Sequence, residues 1–375
     1  MSSRRCLSAC LLLAAAILSC GGGTAEDPSR GQPVLPDTIG GVPADTVVKW
    51  LEHAESPYGG MGAPENGTFY ALDRRLGGEE LNPAFYDPYD FCAQGDTLFV
   101  ADQSTCQVVA ITVDGDVLWR AGGQGEGPGH FSRMGGIAAS EEHVCALNPI
   151  LGRAELFGRD GAFLRSVEIS LPHDVEAVSS GRFVVASRRQ PGGHLHVLDP
   201  DSGLVRSFGE AVVDEAYENV GMMDMLKLAV GPGDTLALFN RYQGSLALYD
   251  YRGQTCVYRG SRQYPARPES PRMEQSGDMM QFYMFPVAVN VFFGSAEELN
   301  SVVKYQADGS FLSEMGGEGQ PPVTVIDRYS WSGEYLGSFC LPESSAGATE
   351  AISGGRLVSH NYHLGTLDIY LPLEL

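Results

Sequence analysis

The stretch Gly95–Trp119, with the sequence GDTLFVADQSTCQVVAITVDGDVLW, decides the fold of this chain. It contains two short apolar runs, Thr97–Ala101 and Val108–Val113, followed by a glycine turn at Asp114-Gly115 that leads into a third run. Glycine in such a turn supplies the positive φ that a tight hairpin requires. Short β-rich runs bounded by Gly and Asp predict consecutive antiparallel strands, and no long apolar run has a helical period.

The same pattern repeats along the chain. An apolar strand precedes and follows each glycine turn, and two further short strands lie upstream, which makes four strands per unit. The turns are spaced by roughly 45 residues, a period typical of β-propeller blades, apart from one half-length gap between Gly309 and Gly333. The copies of the turn are Asp114-Gly115, Asp160-Gly161, Ser202-Gly203, Arg252-Gly253, Asp308-Gly309 and Ser332-Gly333.

The short gap and the last unit determine the predicted number of blades. Val302–Tyr305 is predicted to be the strand before the turn at Gly309, so the gap that follows has room for only a truncated hairpin. The final unit has three strands, and we expect Thr46–Leu51 to supply the fourth and to close the ring, which removes two exposed sheet edges. We therefore predict an all-β propeller of six four-stranded blades with an irregular region at 310–345; seven blades is the alternative.

The N-terminus indicates where the protein works. Arg4 and Arg5 precede an apolar run from Leu11 to Leu18, which is too short to span a membrane and suits a signal-peptide core. The run ends in Ser19-Cys20-Gly21 and resembles a bacterial lipoprotein signal, in which the cysteine becomes lipidated and begins the mature chain. We therefore expect an exported protein that is lipid-anchored to the cell envelope at Cys20 and faces the periplasm or the exterior. An ordinary secretory signal or a short anchor is the alternative.

This interpretation divides the chain into a signal peptide (1–19), a flexible tether (20–44) and one propeller domain (45–375). The tether is rich in Gly, Pro, Ser, Thr and Asp and has no periodic pattern. The formal net charge of -22 makes nucleic acid an unexpected partner and leaves the lipid as the only expected contact with a membrane. We expect a monomer that binds an unknown protein or small-molecule ligand.

Cysteine usage gives no zinc site and leaves disulfide pairing open, since a disulfide can form outside the cytoplasm. Five cysteines remain after Cys20, an odd number, and no pair has the spacing of a zinc site. Most of them lie in apolar strand-like runs, where a cysteine acts as a small buried hydrophobe. They are Cys92, Cys106, Cys145, Cys256 and Cys340.

The glycine-rich segment Gly125–Phe131 carries a family resemblance. It has the sequence GEGPGHF, follows a strand and precedes Gly136-Ile137-Ala138. It resembles the blade-joining loop of NHL-type six-bladed propellers, and Phe99–Asp102 resembles the second strand of the same repeat. Arg75-Leu76-Gly77 is similar to the family's entry into blade one, so the likeness covers about 75–170. The resemblance implies a bacterial six-bladed propeller lipoprotein and says almost nothing of activity, because propellers host unrelated functions.

The glycine-rich segment Gly125–Phe131 lacks the Gly-Lys-Ser/Thr ending of a phosphate-binding P-loop.

Several charged residues are predicted to line the central channel. Alignment of the innermost strands on the turns places Asp90, Asp174 or Glu176, Lys227 and Glu350 there. Carboxylates that converge on one axis can hold a hard cation such as Ca²⁺, which can polarise a carbonyl in a hydrolase or lyase reaction of a lactonase-like kind. The alternative is a solvated acidic channel without metal.

Histidines offer a weaker metal hypothesis. His194 and His196 alternate on a strand and point to one face, and a third ligand would be needed for zinc. His360 and His363 lie at another strand end, and nothing in the sequence brings the two pairs together. We therefore expect surface or half-buried histidines.

A long insertion is the candidate contact surface. The segment 262–285 interrupts the repeat and is locally basic on an acidic protein. Long loops on rigid scaffolds often carry binding function, and methionine and aromatic residues suit an adaptable surface. The candidate contact residues are Arg262, Arg267, Arg272, Met279, Met280 and Phe282.

Because no motif with catalytic spacing is present, the sequence favours a ligand- or protein-binding scaffold. A calcium-dependent hydrolase or lyase that uses the channel carboxylates is the alternative.

Overall fold

The computed structural model describes most of the chain between residues 68 and 374. The described residues are 38–39, 42–43, 68–78, 85–188, 192–209, 226–241, 245–252, 255–261, 272–276, 279–283, 288–295, 298–303, 324–330, 335–341, 348–362 and 364–374. Six four-stranded antiparallel sheets form the blades of a β-propeller, as predicted. No helix in the described part of the chain has the length and apolar character needed to cross a membrane.

Each blade is a simple meander of neighbouring strands. Blade one comprises β4 (Pro88–Gln94), β5 (Thr97–Asp102), β6 (Gln107–Thr112) and β7 (Val117–Gly122); blade two comprises β8 (Ile137–Ala139), β9 (His143–Asn148), β10 (Arg153–Gly158) and β11 (Phe163–Glu168). Blade three comprises β12 (Pro172–Ala177), β13 (Phe183–Ser187), β14 (Leu195–Asp199) and β15 (Gly203–Phe208); blade four comprises β16 (Leu226–Gly231), β17 (Thr235–Asn240), β18 (Ser245–Asp250) and β19 (Thr255–Ser261). Blade five comprises β22 (Ala288–Ser295), β23 (Glu298–Val303), β24 (Thr324–Ser330) and β25 (Tyr335–Leu341).

Blade six joins the two ends of the described chain. It comprises β26 (Thr349–Ala351), β27 (Leu357–Asn361), β28 (Thr366–Glu374) and, as its outermost strand, β3 (Thr68–Gly77). Two further hairpins lie outside the blades: β1 (Thr38–Ile39) with β2 (Val42–Pro43), and β20 (Arg272–Ser276) with β21 (Met279–Tyr283).

The first strand of each blade faces the axis, and consecutive first strands contact one another around the ring. We call the face that carries the turns between first and second strands, and between third and fourth strands, the lower face. The upper face carries the connections from second to third strands and from one blade to the next.

Burial follows the position of a strand within its blade. The second and third strands are covered on both sides by neighbouring blades, so β5 and β6 are almost wholly buried and read as continuous apolar runs. The fourth strands face solvent: β7 has exposed or half-buried residues throughout. The core therefore consists of apolar layers between blades, such as the layer around Phe99 and Phe131 that joins blades one and two.

The glycine-rich segment Gly125–Phe131 connects blade one to blade two. The Gly129 amide donates a 3.0 Å hydrogen bond to Glu155 Oε2, so a carboxylate of the chain itself takes the place that a phosphate would have. Arg153 pairs with the same carboxylate and donates to the carbonyl oxygens of Glu126 and Gly127 at 3.0 and 2.7 Å. Gly129 has φ +74°, and a Cβ there would lie 2.8 Å from the Phe163 ring, so both conformation and space require glycine.

Two details of the predicted repeat were wrong. The strand that closes the ring is Thr68–Gly77, which pairs with β28, and not Thr46–Leu51, which lies outside the described residues. Val302 belongs to the second strand of blade five rather than to a third strand, because β24 follows only at Thr324. The truncated hairpin predicted at Gly333 is thus the second half of blade five, separated from the first half by residues 304–323. Ring closure and the count of six blades are confirmed.

Candidate functional site

A buried ion-paired group lies on the axis. Lys227 Nζ is 3.1 Å from Asp174 Oδ1 and 3.7 Å from Asp90 Oδ2. These residues come from the first strands of blades four, three and one, and each side chain is largely buried. Burial by itself lowers the pKa of Lys227, but the two carboxylates raise it more, so its pKa lies above the ordinary value and the ammonium stays charged.

The axial polar groups also bind the backbone of the next blade. Asp174 Oδ2 accepts a hydrogen bond from the Leu228 amide at 2.8 Å. Glu350 Oε2 accepts from the Ala93 amide at 2.9 Å, across the junction of blades six and one. Asn290 donates from Nδ2 to the Thr349 carbonyl at 2.9 Å. Part of the hydrogen-bonding capacity of these side chains therefore holds neighbouring blades together.

Asp90 also accepts backbone hydrogen bonds, and its burial disfavours the charged form of the carboxyl group. It accepts a hydrogen bond from its neighbour Phe91 at 3.0 Å and another from the Ile137 amide of blade two. Burial raises the pKa of Asp90 to about 6, while Lys227 opposes this rise and Asp174 adds to it. The carboxylate is charged at neutral pH and shares one cation with Asp174.

Below this group, two glutamates face the channel, and neither is ion-paired among the residues that the structure describes. Glu176 lies two residues after Asp174 on β12, and Glu350 lies on β26. Both line the same cavities as Cys92. Burial raises the pKa of Glu350 to about 8, and the charge of Asp90 contributes. The pKa of Glu176 lies well above its ordinary value because of burial, with further contributions from Glu350, Asp174 and Asp90. Burial also raises the pKa of the Cys92 thiol, so this cysteine is not an activated nucleophile.

The two glutamates line a cavity that opens on the lower face. Its volume is about 670 Å³, and it is bounded by the turns between first and second strands of blades two and three. Glu141 and Glu142 lie on its rim, and the Arg182 guanidinium there is paired with Asp199 at 2.9 Å. A smaller cavity of about 130 Å³ lies above it, around Lys227. The lower cavity is therefore a polar, acidic space at the centre of the ring.

The structure brings the predicted channel residues Asp90, Asp174, Glu176 and Glu350 together on the axis. Asp90 and Asp174 share Lys227, whereas Glu176 and Glu350 face the lower cavity. Across the described ranges, no three His, Cys, Asp or Glu side chains are arranged so that they could hold a metal ion. The residues present do not form the oxygen cage that Ca²⁺ prefers.

The predicted histidine pair is buried in blade three. His196 Nε2 lies 2.6 Å from Ser187 Oγ, and its Nδ1 lies 2.7 Å from Ser207 Oγ. His194 Nδ1 lies 3.0 Å from the Ser187 carbonyl oxygen. Ser187 is 0% exposed, so this serine–histidine contact is closed to substrate. His360 is buried in blade six, and His363 lies outside the described residues.

The predicted contact segment 262–285 is described only in part. It contains the hairpin of β20 and β21, which carries Arg272, Met279, Met280 and Phe282, between blades four and five. The side chains of these four residues, and the whole of Arg262 and Arg267, lie outside the described part of the chain.

Sequence reasoning missed the cavity rim. Glu141, Glu142 and Arg182 lie in the turns that precede the second strands of blades two and three. The available signal was the opposite charge of successive turns, but only the ring geometry shows that the turns of two blades border one space.

No known family profile matches the chain, and no curated protein matches its sequence. Among solved structures, the chain is similar to a member of the DUF4221 family from Bacteroides vulgatus, with TM-score 0.53, 9% identity and coverage of 82% of this chain and 99% of that one. It is also similar to virginiamycin B lyase from Staphylococcus aureus, with TM-score 0.49, 13% identity and coverage of 82% and 89%. The likeness shows the fold alone.

Proposed function

We propose that this propeller is a binding protein that takes a compact organic cation, such as an alkylamine or a basic side chain, in the lower cavity. The observation that carries the proposal is the axial cavity of about 670 Å³ lined by Glu141, Glu142, Glu176 and Glu350. Its volume lies within the range of small-molecule sites. None of these four carboxylates is ion-paired within the described part of the chain. Arg182, which also lines the cavity, is paired with Asp199.

The electrostatics of the inner wall support a cationic ligand. Glu176 and Glu350 have raised pKa values because burial and neighbouring carboxylates disfavour their charged forms. A cation placed between them would favour the ionised forms, so binding would release protons. The ammonium of Lys227 already provides such compensation for Asp90 and Asp174, one layer above.

Calorimetric titration with 1,4-diaminobutane, at a pH above the pKa of Glu350, tests the proposal. We expect saturable binding of one diamine per chain, weakened about tenfold or more by Glu176→Gln, because a charge-assisted contact is lost. The matched control is Glu168→Gln, which neutralises an exposed carboxylate on the outer strand of blade two. Absence of binding, or equal affinity in the two variants, would contradict the proposal.

A calcium-dependent hydrolase or lyase is the competing proposal, and it rests on the same carboxylates. It requires a tightly held cation, whereas Asp90 and Asp174 are paired with Lys227. Titration of the same protein with calcium chloride separates the two. Tight calcium binding, together with a melting temperature that falls on chelation, would favour the competing proposal over the amine site.

We also propose that the protein is exported and lipid-anchored through Cys20. The support is the Arg4-Arg5 start, the short apolar run and the Ser19-Cys20-Gly21 ending. Metabolic labelling with a fatty acid in a bacterial host should label the full chain, and Cys20→Ser should abolish the label. Labelling that persists in Cys20→Ser would reject anchoring at this residue, and Cys10→Ser provides the control within the leader.

A further inference from the structure

Two arginines occupy equivalent positions in blades three and four, at the upper face. Arg188 and Arg241 each follow the polar residue that ends the second strand, Ser187 in β13 and Asn240 in β17. Each lies two residues beyond the partner of an axial residue, since Ala186 pairs with Asp174 and Phe239 pairs with Lys227. Because side chains alternate along a strand, this spacing directs both arginines to the side of the axial pair. The two positions therefore lie at the upper end of the channel.

His173 is hydrogen-bonded to Arg188 and lies near enough to Arg241 for the charge of that arginine to affect its pKa. Arg188 Nε donates to His173 Nε2 at 3.1 Å, which requires an unprotonated Nε2. Burial, together with charge repulsion from Arg188, Lys227 and Arg241, lowers the pKa of His173 to about 4. His173 is therefore neutral and leaves the positive charge of its neighbours uncompensated.

Neither arginine has a carboxylate partner among the described residues. Arg188 donates to an imidazole instead, and Arg241 Nε is buried without a hydrogen-bond partner in the described part of the chain. A buried donor without a partner carries a desolvation cost. Lys227 does not supply a free charge, because it is paired with Asp174 and Asp90. In a chain with net charge -22, these two guanidinium groups, without a carboxylate partner among the described residues, form a local positive site.

The blade-one side of the same mouth adds a cation and an aromatic ring. Tyr89 lies at the start of β4, and the Arg133 guanidinium stacks over its ring at 5.9 Å. Tyr89 is also near enough to Lys227 to affect its pKa. The upper mouth is thus bordered by Arg133, His173, Arg188 and Arg241, whereas the lower cavity is bordered by carboxylates.

We propose that Arg188 and Arg241 form an anion-binding site at the upper mouth, which takes a compact oxyanion such as a carboxylate or phosphate group. A guanidinium presents several donors in a plane that matches the oxygens of both groups. The anion would supply the acceptor that Arg241 lacks and the negative charge that His173 does not provide. The site is independent of the lower cavity, because the Asp90–Lys227–Asp174 group lies between them.

Titration of the purified protein with inorganic phosphate and, separately, with acetate tests the inference. We expect one anion per chain, with affinity that falls as sodium chloride is raised. Arg241→Gln and Arg188→Gln should each weaken binding about tenfold or more, whereas Arg120→Gln, which changes an exposed arginine on the outer strand of blade one, should not. Competition between the two anions would show that both groups use the same site.

Arg241→Lys keeps the fold assessable if the glutamine variant is unstable. It retains the positive charge but loses the planar set of donors, so binding should be weaker than in the parent and stronger than in Arg241→Gln. Absence of anion binding in the parent would overturn the inference. So would affinities that are the same in the parent, Arg188→Gln and Arg241→Lys. Because the amine titration uses the lower cavity, failure of one proposal leaves the other standing.

Discussion

Glu350 shows how a single carboxyl group on the axis links function to stability. It is held by the Ala93 amide and lies near Glu176 and Asp90. Its pKa of about 8 lies above the ordinary value of 4.5. The folded protein therefore binds a proton at this site over a pH range in which the unfolded chain has lost it.

The pH dependence of stability follows from this difference. The stabilising contribution of Glu350 to the free energy of unfolding is complete below pH 4.5 and is lost as pH rises towards about 8. The free energy falls over this range by at most about 1.4 kcal/mol per pH unit. Glu350→Gln should flatten this fall in the free energy of unfolding. Urea unfolding of parent and variant at several pH values measures the difference, and Glu168→Gln is the control. A variant whose pH profile runs parallel to that of the parent would refute the assignment.

The buried histidines give the free energy of unfolding the opposite pH dependence. Burial lowers the pKa of both His196 and His360 to about 4, below the ordinary value of 6.5. Their stabilising contribution is complete above pH 6.5 and is lost as pH falls through about 4. The comparison of Glu350→Gln with the parent cancels this term because both chains contain the histidines.

At the residue scale, the sequence identified the channel acids but not their roles. The strand period and the glycine turns suffice to align first strands, so Asp90, Asp174, Lys227 and Glu350 could be grouped. Which carboxylate receives the ammonium depends on distances across three blades, and no local pattern encodes these. The paired and unpaired carboxylates therefore looked alike in the sequence.

Among the elements, the connection Gly125–Phe131 has the clearest energetic basis. Glu155 is 0% exposed and binds the Gly129 amide, the Ser166 hydroxyl and Arg153. It thereby fixes the loop against blade two. The glycine pattern was visible in the sequence, whereas the carboxylate that occupies the loop lies on a strand of the next repeat.

Glu155→Ala should destabilise the protein strongly. The change leaves the Gly129 amide without its partner and removes the counter-charge of the largely buried Arg153 side chain, and such losses cost about 3 kcal/mol or more. Denaturant unfolding measures the change, with Glu126→Ala as the control because that residue is exposed in the same loop. A loss below about 1 kcal/mol would show that the loop does not depend on this carboxylate.

Blade five shows how an insertion misleads a repeat analysis. The pair Asp308-Gly309 has the composition of a hairpin turn, yet it lies between the second and third strands of the blade. The pair Ser332-Gly333 instead stands in the sequence between β24 and β25, the third and fourth strands. Turn composition is local, whereas the position of a turn in a blade depends on which strands pair, so the sequence offered two equivalent solutions.

At the scale of the whole molecule, the sequence was sufficient to predict the propeller architecture and the closure of the ring by an N-terminal strand. The four-strand period and the three-stranded final unit required a strand from the N-terminal side. Its location could not be read, because Thr68–Gly77 has an irregular mix of charged and apolar residues that suits an outer strand with an exposed side. Tyr70 and Leu72 are half-buried, whereas Asp73 and Arg74 are exposed.

The closing strand also places the ends of the chain relative to the two mouths. Thr68 pairs with Glu374 at the lower face, and Gly77 pairs with Thr366 at the upper face. The chain before Thr68 therefore leaves the ring from the side of the acidic cavity.

The pairing of β3 with β28 sets an order of events during synthesis. Arg75 contacts Asp368, which is 293 residues further along the chain, so the first strand of the domain to be made receives its partner last. Until β28 emerges from the ribosome, the ring has no means of closing, and the earlier blades can stack only as an open arc. The earlier blades therefore lack their full set of neighbours until the last blade has been made and the ring can close.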